Sequence, residues 1–232
     1  MRQIKISIVF IIVLSIVLWP GYNVINNQKV VALGAPTNCV IIDAGHGDFD
    51  CGGVADDGTY EKNLNLAIAK KLNFVLQLYG VNTVLTRVDD NALGKTSSDS
   101  ETNKVKDTKA RVEIMQKYPN AIFVSIHQNK FSDTSVKGFQ TFYKNGDNNG
   151  KALAENIQTT FVELLNPDKV RTAKSDNRNV YILNNSTIPT VIVECGFLSN
   201  SEDLSNLKSD AYQGKVAFTI AIGILKYFNQ GK

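Results

Sequence analysis

Two apolar runs that each end in a histidine constrain this chain most: VIIDAGHG from Val40 to Gly47, and AIFVSIH from Ala121 to His127. These are the only two histidines in the sequence. Short runs rich in Val and Ile, stopped by Gly or polar residues, read as buried strands. A third run of the same build, TVIVE, ends in Glu194. In open α/β sheets the binding crevice lies outside the carboxyl ends of the strands, so residues far apart in sequence can converge there. The two histidines therefore read as two halves of one site.

From Val40 onward, apolar strands alternate with amphipathic helices, the pattern of an α/β layer architecture. Strands are expected at Val40–Ile42, Val81–Thr86, the run ending at His127, Gly138–Tyr143, Val180–Leu183 and the run ending at Glu194. Leu64, Ile68, Leu72, Val75, Leu76 and Tyr79 recur at helical spacing before Gly80, a C-terminal cap. A second helix spans Lys151–Leu165, and a long one carries Val216, Ile220, Ile224 and Tyr227. Residues 88–107 are polar without an apolar face and read as a long surface loop, with Asp107 as the N-cap of a helix reaching Lys117.

The first 35 residues differ in kind. Arg2 and Lys5 precede an apolar stretch from Ile6 to Trp19, which matches an export signal or an uncleaved anchor. That stretch is shorter than the roughly 20 residues of a membrane span. Residues 1–35 are thus expected to form a signal or membrane anchor plus tether, and residues 36–232 the catalytic domain. Beyond residue 35, basic and acidic residues balance at 22 each, which argues against nucleic acid as a partner. Three cysteines, Cys39, Cys51 and Cys195, are too few for a disulfide framework. They read as small buried residues or bystanders, with a Cys39–Cys51 bridge as the alternative.

The chemistry rests on four residues. Gly45, Gly47, Gly52 and Gly53 allow the turn after the first strand to double back and place Glu61 beside His46. Two histidines and a carboxylate are a common zinc ligand set in hydrolases, with the fourth position left to water. His46, Glu61 and His127 are the candidate ligands, and Glu194 is the candidate general base. Asp43 is a candidate to orient a ligand histidine from outside. Two other readings stay open: a thiol hydrolase with Cys195 as nucleophile and His127 as base, and an exported zinc-binding scaffold or pseudoenzyme.

Five ordered blocks carry a family resemblance: VIIDAGHGDFDCGGV, YEKNLNLAIAKKL, VLTR, IFVSIHQN, and IPTVIVECGFLSNSED with AYQGKVAFTIAIGILKY. Together they resemble the zinc-dependent N-acetylmuramoyl-L-alanine amidases of the amidase_3 type across nearly all of residues 38–229. The resemblance implies a single α/β domain with a mixed, roughly six-stranded twisted sheet flanked by helices. It also implies Zn2+ held by His46, Glu61 and His127, with Glu194 as catalytic acid/base. The reaction implied is hydrolysis of the amide between N-acetylmuramic acid and L-alanine in peptidoglycan.

Two departures from the pattern stand out: HQNKF places Lys130 and Phe131 near the expected cleft, and Cys195 follows Glu194 where threonine is frequent. With the N-terminal segment, they most resemble the spore-cortex, CwlD-like subgroup, which removes stem peptides on the way to muramic-δ-lactam. A vegetative autolysin is the alternative. The expected setting is extracytoplasmic, membrane-anchored or secreted, such as the forespore intermembrane space. The expected partners are peptidoglycan strands with stem peptides, the membrane through the N-terminal segment, and a regulatory or activating protein.

Overall fold

A computed structural model describes residues 38–94 and 100–230. The export segment and tether expected over residues 1–35 lie outside the described residues. Six strands form one sheet: β1 (Cys39–Ala44), β2 (Asn82–Leu85), β3 (Ala121–Asn129), β4 (Gln140–Lys144), β5 (Lys174–Asp176) and β6 (Thr190–Phe197). The helices are α1 (Glu61–Leu78), α2 (Ser100–Lys117), α3 (Asn148–Leu165), α4 (Tyr181–Asn184), α5 (Ser201–Lys208) and α6 (Asp210–Asn229).

The strand order is β2-β1-β3-β6-β4-β5. Neighbouring pairs run parallel except β4 with β6, which is antiparallel. The mixed, six-stranded α/β sheet expected from the family resemblance is therefore present. β1, β3 and β6 lie side by side at the centre and are buried almost throughout. This accounts for their continuous apolar runs, since both faces of a central parallel strand are covered.

Side chains alternate across the pleat, and the two faces have separate cores. On one face, Val40, Ile42, Val124, Ile126, Val191 and Val193 pack against Ile68 and Leu72 of α1, Leu153 and Ile157 of α3, and Val216 and Ile220 of α6. On the other, Ile41 and Phe123 meet Met115 of α2 and Ile182 of α4. Ile68, Leu72 and Leu76 are fully buried, each contributing about 1.5–3 kcal/mol by burial. That packing fixes α1 against the sheet, and with it Glu61 in the helix's first turn. Among the described residues no helix is long and apolar enough to cross a membrane.

Two expected elements differ. The polar stretch read as a loop over residues 88–107 is helical from Ser100 onward, and Asp107 lies inside α2 instead of capping it. In α2, Asn103, Asp107, Arg111 and Met115 form a buried row spaced four apart, with Val112 buried beside it. Three of the four are polar, so hydrophobic periodicity does not reveal the helix. The second difference is Val180–Leu183, expected as a strand. It forms the single-turn helix α4, with the Val180 N–H held by the Asp176 carboxylate at 3.1 Å. Just before it lies β5, one of the two edge strands, whose polar sequence KSD is mostly exposed and pairs with β4 alone.

Candidate active site

The loop after β1 turns at once. His46 has φ 63° and Gly47 φ 145°, and Gly47 and Asp50 exchange two backbone hydrogen bonds of 3.0 Å. A non-glycine residue in the left-handed region stores strain that the surroundings must hold. The chain then returns through Gly52 and Gly53, and the Glu61 N–H donates to the Gly53 carbonyl at 2.9 Å. Gly52 has φ 67°; a Cβ there would lie 2.5 Å from Glu61 Oε2 and 2.6 Å from His46 Cδ2. A Cβ on Gly45 would lie 2.3 Å from His127 Nε2. Glycine at these positions makes room for the three side chains to meet.

They do meet. His46 Nε2 is 3.3 Å from Glu61 Oε2, and His127 Nδ1 is 2.9 Å from Glu61 Oε1. The rings sit edge to face with centroids 4.9 Å apart. One ligand atom from each of His46, Glu61 and His127 lies within 4.8 Å of the others. Two imidazoles and one carboxylate of this kind suit a zinc ion with one open coordination position. The histidine side chains are 24% and 20% exposed, so the group opens on one side to solvent.

The supporting contacts fit the same chemistry. Asp50 Oδ2 lies 2.7 Å from His46 Nδ1, leaving Nε2 to face Glu61. Glu61 accepts hydrogen bonds from the Gly53 N–H at 2.7 Å and the Gln128 N–H at 3.0 Å. Burial opposes a charge on Glu61, but the hydrogen bonds and charges of His127 and His46 outweigh it and hold the carboxyl far below its ordinary value. Burial likewise opposes a charged His46, yet its bonds to Asp50 and Glu61 raise it to about 9. The pocket thus favours a positive charge at the point where the three side chains converge.

Glu194 stands next to this group, as the register partner of His127 across β3 and β6. It is 6% exposed, and its Oε2 is buried without a hydrogen-bond partner. Burial raises its carboxyl above the ordinary range. Arg178 Nη1 approaches Oε1 at 3.7 Å, with its guanidinium over the Phe142 ring at 4.2 Å from the centroid. A buried carboxylate that readily takes up a proton has the properties of a general base.

Other expected residues fall differently. Asp43 touches neither imidazole through its hydrogen bonds; it pairs with Arg111 and accepts from Ser125 Oγ at 2.5 Å and Thr86 Oγ1 at 2.7 Å. The carboxylate that orients a histidine is Asp50, which sequence reading missed inside a turn dense in Gly and Asp. Cys39, Cys51 and Cys195 are all free thiols, so the alternative Cys39–Cys51 bridge is absent. Cys195 is 1% exposed, and burial together with nearby Glu194 pushes its thiol well up. That removes the thiol-hydrolase reading, because the thiolate is the nucleophile. Lys130 and Phe131 follow β3 beside the turn: Lys130 Nζ donates to the Val54 carbonyl at 2.7 Å, and Phe131 packs edge-on against Phe197.

Comparison with known proteins identifies the family. The family described as Amidase_3, N-acetylmuramoyl-L-alanine amidase, matches residues 40–226. Protein YqiI of Bacillus subtilis is 34% identical over 193 residues, covering 82% of this chain and 85% of that protein. The germination-specific N-acetylmuramoyl-L-alanine amidase of the same organism is 30% identical over 212 residues, covering 90% and 88%. Among solved structures, the CwlD amidase of Clostridioides difficile, in complex with the GerS lipoprotein, superposes with a TM-score of 0.80 at 36% identity, over 83% of this chain and 98% of that one. The family match and these relatives place the chain in the N-acetylmuramoyl-L-alanine amidase family, as an enzyme of that class.

Proposed function

We propose that this chain hydrolyses the muramoyl–L-alanine amide of peptidoglycan as a zinc enzyme, with His46, Glu61 and His127 holding the metal and Glu194 as general base. The observation that carries the reading is the unpartnered Glu194 Oε2 beside the converged His46–Glu61–His127 group. When bound, zinc supplies a Lewis acid that lowers the pKa of water towards about 7 and polarises a carbonyl. Glu194 takes a proton from the attacking water and returns it to the departing L-alanine amine. Its burial favours the protonated intermediate stage of that shuttle, and Arg178 Nη1 faces its Oε1 at 3.7 Å. Asp50 fixes the His46 ring, and the backbone N–H groups of Gly53 and Gln128 fix Glu61.

The biological reading is removal of stem peptides during spore-cortex maturation, the step before muramic-δ-lactam forms. It is supported by similarity to the germination-specific amidase across most of both chains, and to CwlD. Because CwlD was solved with a lipoprotein bound, we include an activating lipoprotein as the partner. Residues 1–35 act as export signal or anchor, which puts the catalytic domain outside the cytoplasm. Metal analysis of the purified protein, followed by release of stem peptides from purified sacculi, tests the reading. It predicts about one zinc per chain at full occupancy and metal-dependent release. Metal-loaded protein that releases no peptide, alone or with the lipoprotein, contradicts it.

A further inference from the structure

Three consecutive carbonyls at the end of β1, those of Ala44, Gly45 and His46, point at guanidinium groups instead of at another strand. Arg87 Nε donates to Ala44 O at 2.9 Å, and its Nη2 donates to Gly45 O at 3.1 Å and to Lys62 O at 2.8 Å. Its Nη1 donates to Asp89 O at 2.9 Å. Arg111 donates to Ala44 O at 3.1 Å and to His46 O at 2.9 Å, and pairs with Asp43 and Asp107. Both side chains are buried, at 4% and 3% exposure for the residues.

Two guanidinium groups this close repel one another, and burying each costs free energy unless its donors are used. Here the donors are used: Arg111 meets two carboxylates, Arg87 Nη1 meets the Asp89 carbonyl, and the rest fall on carbonyls of two segments, the end of β1 with the turn carrying His46 and the first turn of α1, which carries Glu61. Lys62 directly follows Glu61, so Arg87 ties both segments to one rigid planar group. Asn65, one turn further along α1, adds a bond from its Nδ2 to Gly45 O at 3.1 Å. Gly47 lies against this group and the loop beyond it, since a Cβ there would lie 2.6 Å from the Asn91 carbonyl oxygen and 3.2 Å from Arg87 Cδ and Nε. The strained φ of His46 thus has a physical restraint on either side.

We propose that Arg87, with Arg111, is a positioning residue that sets the spacing of His46 and Glu61 and thereby the affinity of the metal site, without touching the metal. This rests on the assignment of those residues as zinc ligands. A lysine cannot replace the fork, because its donors share one nitrogen and cannot reach four divergent carbonyls.

The test is Arg87→Lys in the full chain, with zinc affinity read by chelator competition and folding read by circular dichroism and thermal unfolding in chelator. Partners that orient metal ligands from outside alter affinity about 10–100-fold. The expected result is zinc affinity weakened by at least about tenfold, with a thermal midpoint in chelator close to wild type. The cobalt(II)-substituted variant is also expected to show an altered visible spectrum. Zinc affinity within twofold of wild type in a folded Arg87→Lys protein overturns the proposal. Should that variant fail to fold, Arg111→Lys, which leaves the Arg87 bonds to Gly45 and Lys62 in place, is measured the same way, and unchanged affinity there overturns it. Wild-type protein that binds no zinc defeats instead the underlying metal assignment, so the two failures are distinct.

Discussion

Glu194 on β6 and His127 on β3 are register partners in the central sheet. They stand on adjacent parallel strands about 4.8 Å apart, so hydrogen-bonded backbone, and not a loop, sets the distance between the proposed base and a proposed ligand. The β1 side of the site is made differently: there a strained turn and a doubled-back glycine loop bring His46 and Glu61 to the strand ends.

Replacing Glu194 with glutamine keeps the shape and removes the proton acceptor. The expected outcome is a loss of about 10²–10⁴-fold in kcat with zinc content unchanged. Steady-state kinetics beside metal analysis checks this, and a variant that retains near wild-type turnover removes Glu194 from the mechanism.

Metal removal should abolish turnover, and zinc should restore it. Binding to the folded state alone adds stability of about 2.7 kcal/mol at a zinc concentration a hundred times the dissociation constant. Thermal unfolding with and without zinc reads this gain in the wild type. His127→Ala and Glu61→Ala are each expected to lose it, while still folding in chelator.

Gly45→Ala tests the cradle. A Cβ there would lie 2.3 Å from the His127 ring, which forces the imidazole out of line with Glu61. Zinc binding is expected to fall more than tenfold, by analogy with partners that orient metal ligands, whereas the strand core below is untouched. Wild-type zinc affinity in Gly45→Ala would show that the ring has space the structure does not reveal.

Asp43→Asn tests the buried pair with Arg111. Burial works against the Asp43 charge, but Arg111 and the hydroxyls of Ser125 and Thr86 outweigh it and hold the carboxyl below its ordinary value. A depressed folded-state pKa contributes stability that is present above the unfolded value of about 3.9 and is lost as pH falls through the lower folded value. Wild type should therefore lose stability on acidification below about pH 4, and the asparagine variant should show a shallower slope there. Near neutrality the variant should be less stable by about 1.5–3 kcal/mol, because Arg111 keeps its pair with Asp107 but loses the charged hydrogen bond to Asp43. Denaturant titrations across pH measure both.

The apolar runs leading to His46, His127 and Glu194 were legible because central strands are covered on both faces and these residues interrupt them, although β1 stops at Ala44 and β3 and β6 continue to Asn129 and Phe197. Helix α1 was legible for the same reason, through Leu64, Ile68, Leu72 and Leu76 at helical spacing. Helix α2 was not, since its buried stripe of Asn103, Asp107 and Arg111 serves a polar interior around Asp43. Arg87 and Asp50 escaped notice because their partners are backbone carbonyls and a turn neighbour, and Arg111 because Asp107, its i,i+4 partner, reads as a helix cap at the end of a polar loop. Arg87 sits directly after the short strand in VLTR, and a charged residue at a strand end that must be buried was the one available signal.

The most direct test of the central claim is mass spectrometry of muropeptides after incubating purified peptidoglycan with zinc-loaded protein. Amidase action with Glu194 as general base predicts free stem peptides beginning at L-alanine together with glycan whose muramic acid carries a free lactyl carboxylate, and far slower release of both with Glu194→Gln. Cleavage at a different bond, or the same products from Glu194→Gln at the wild-type rate, would contradict it.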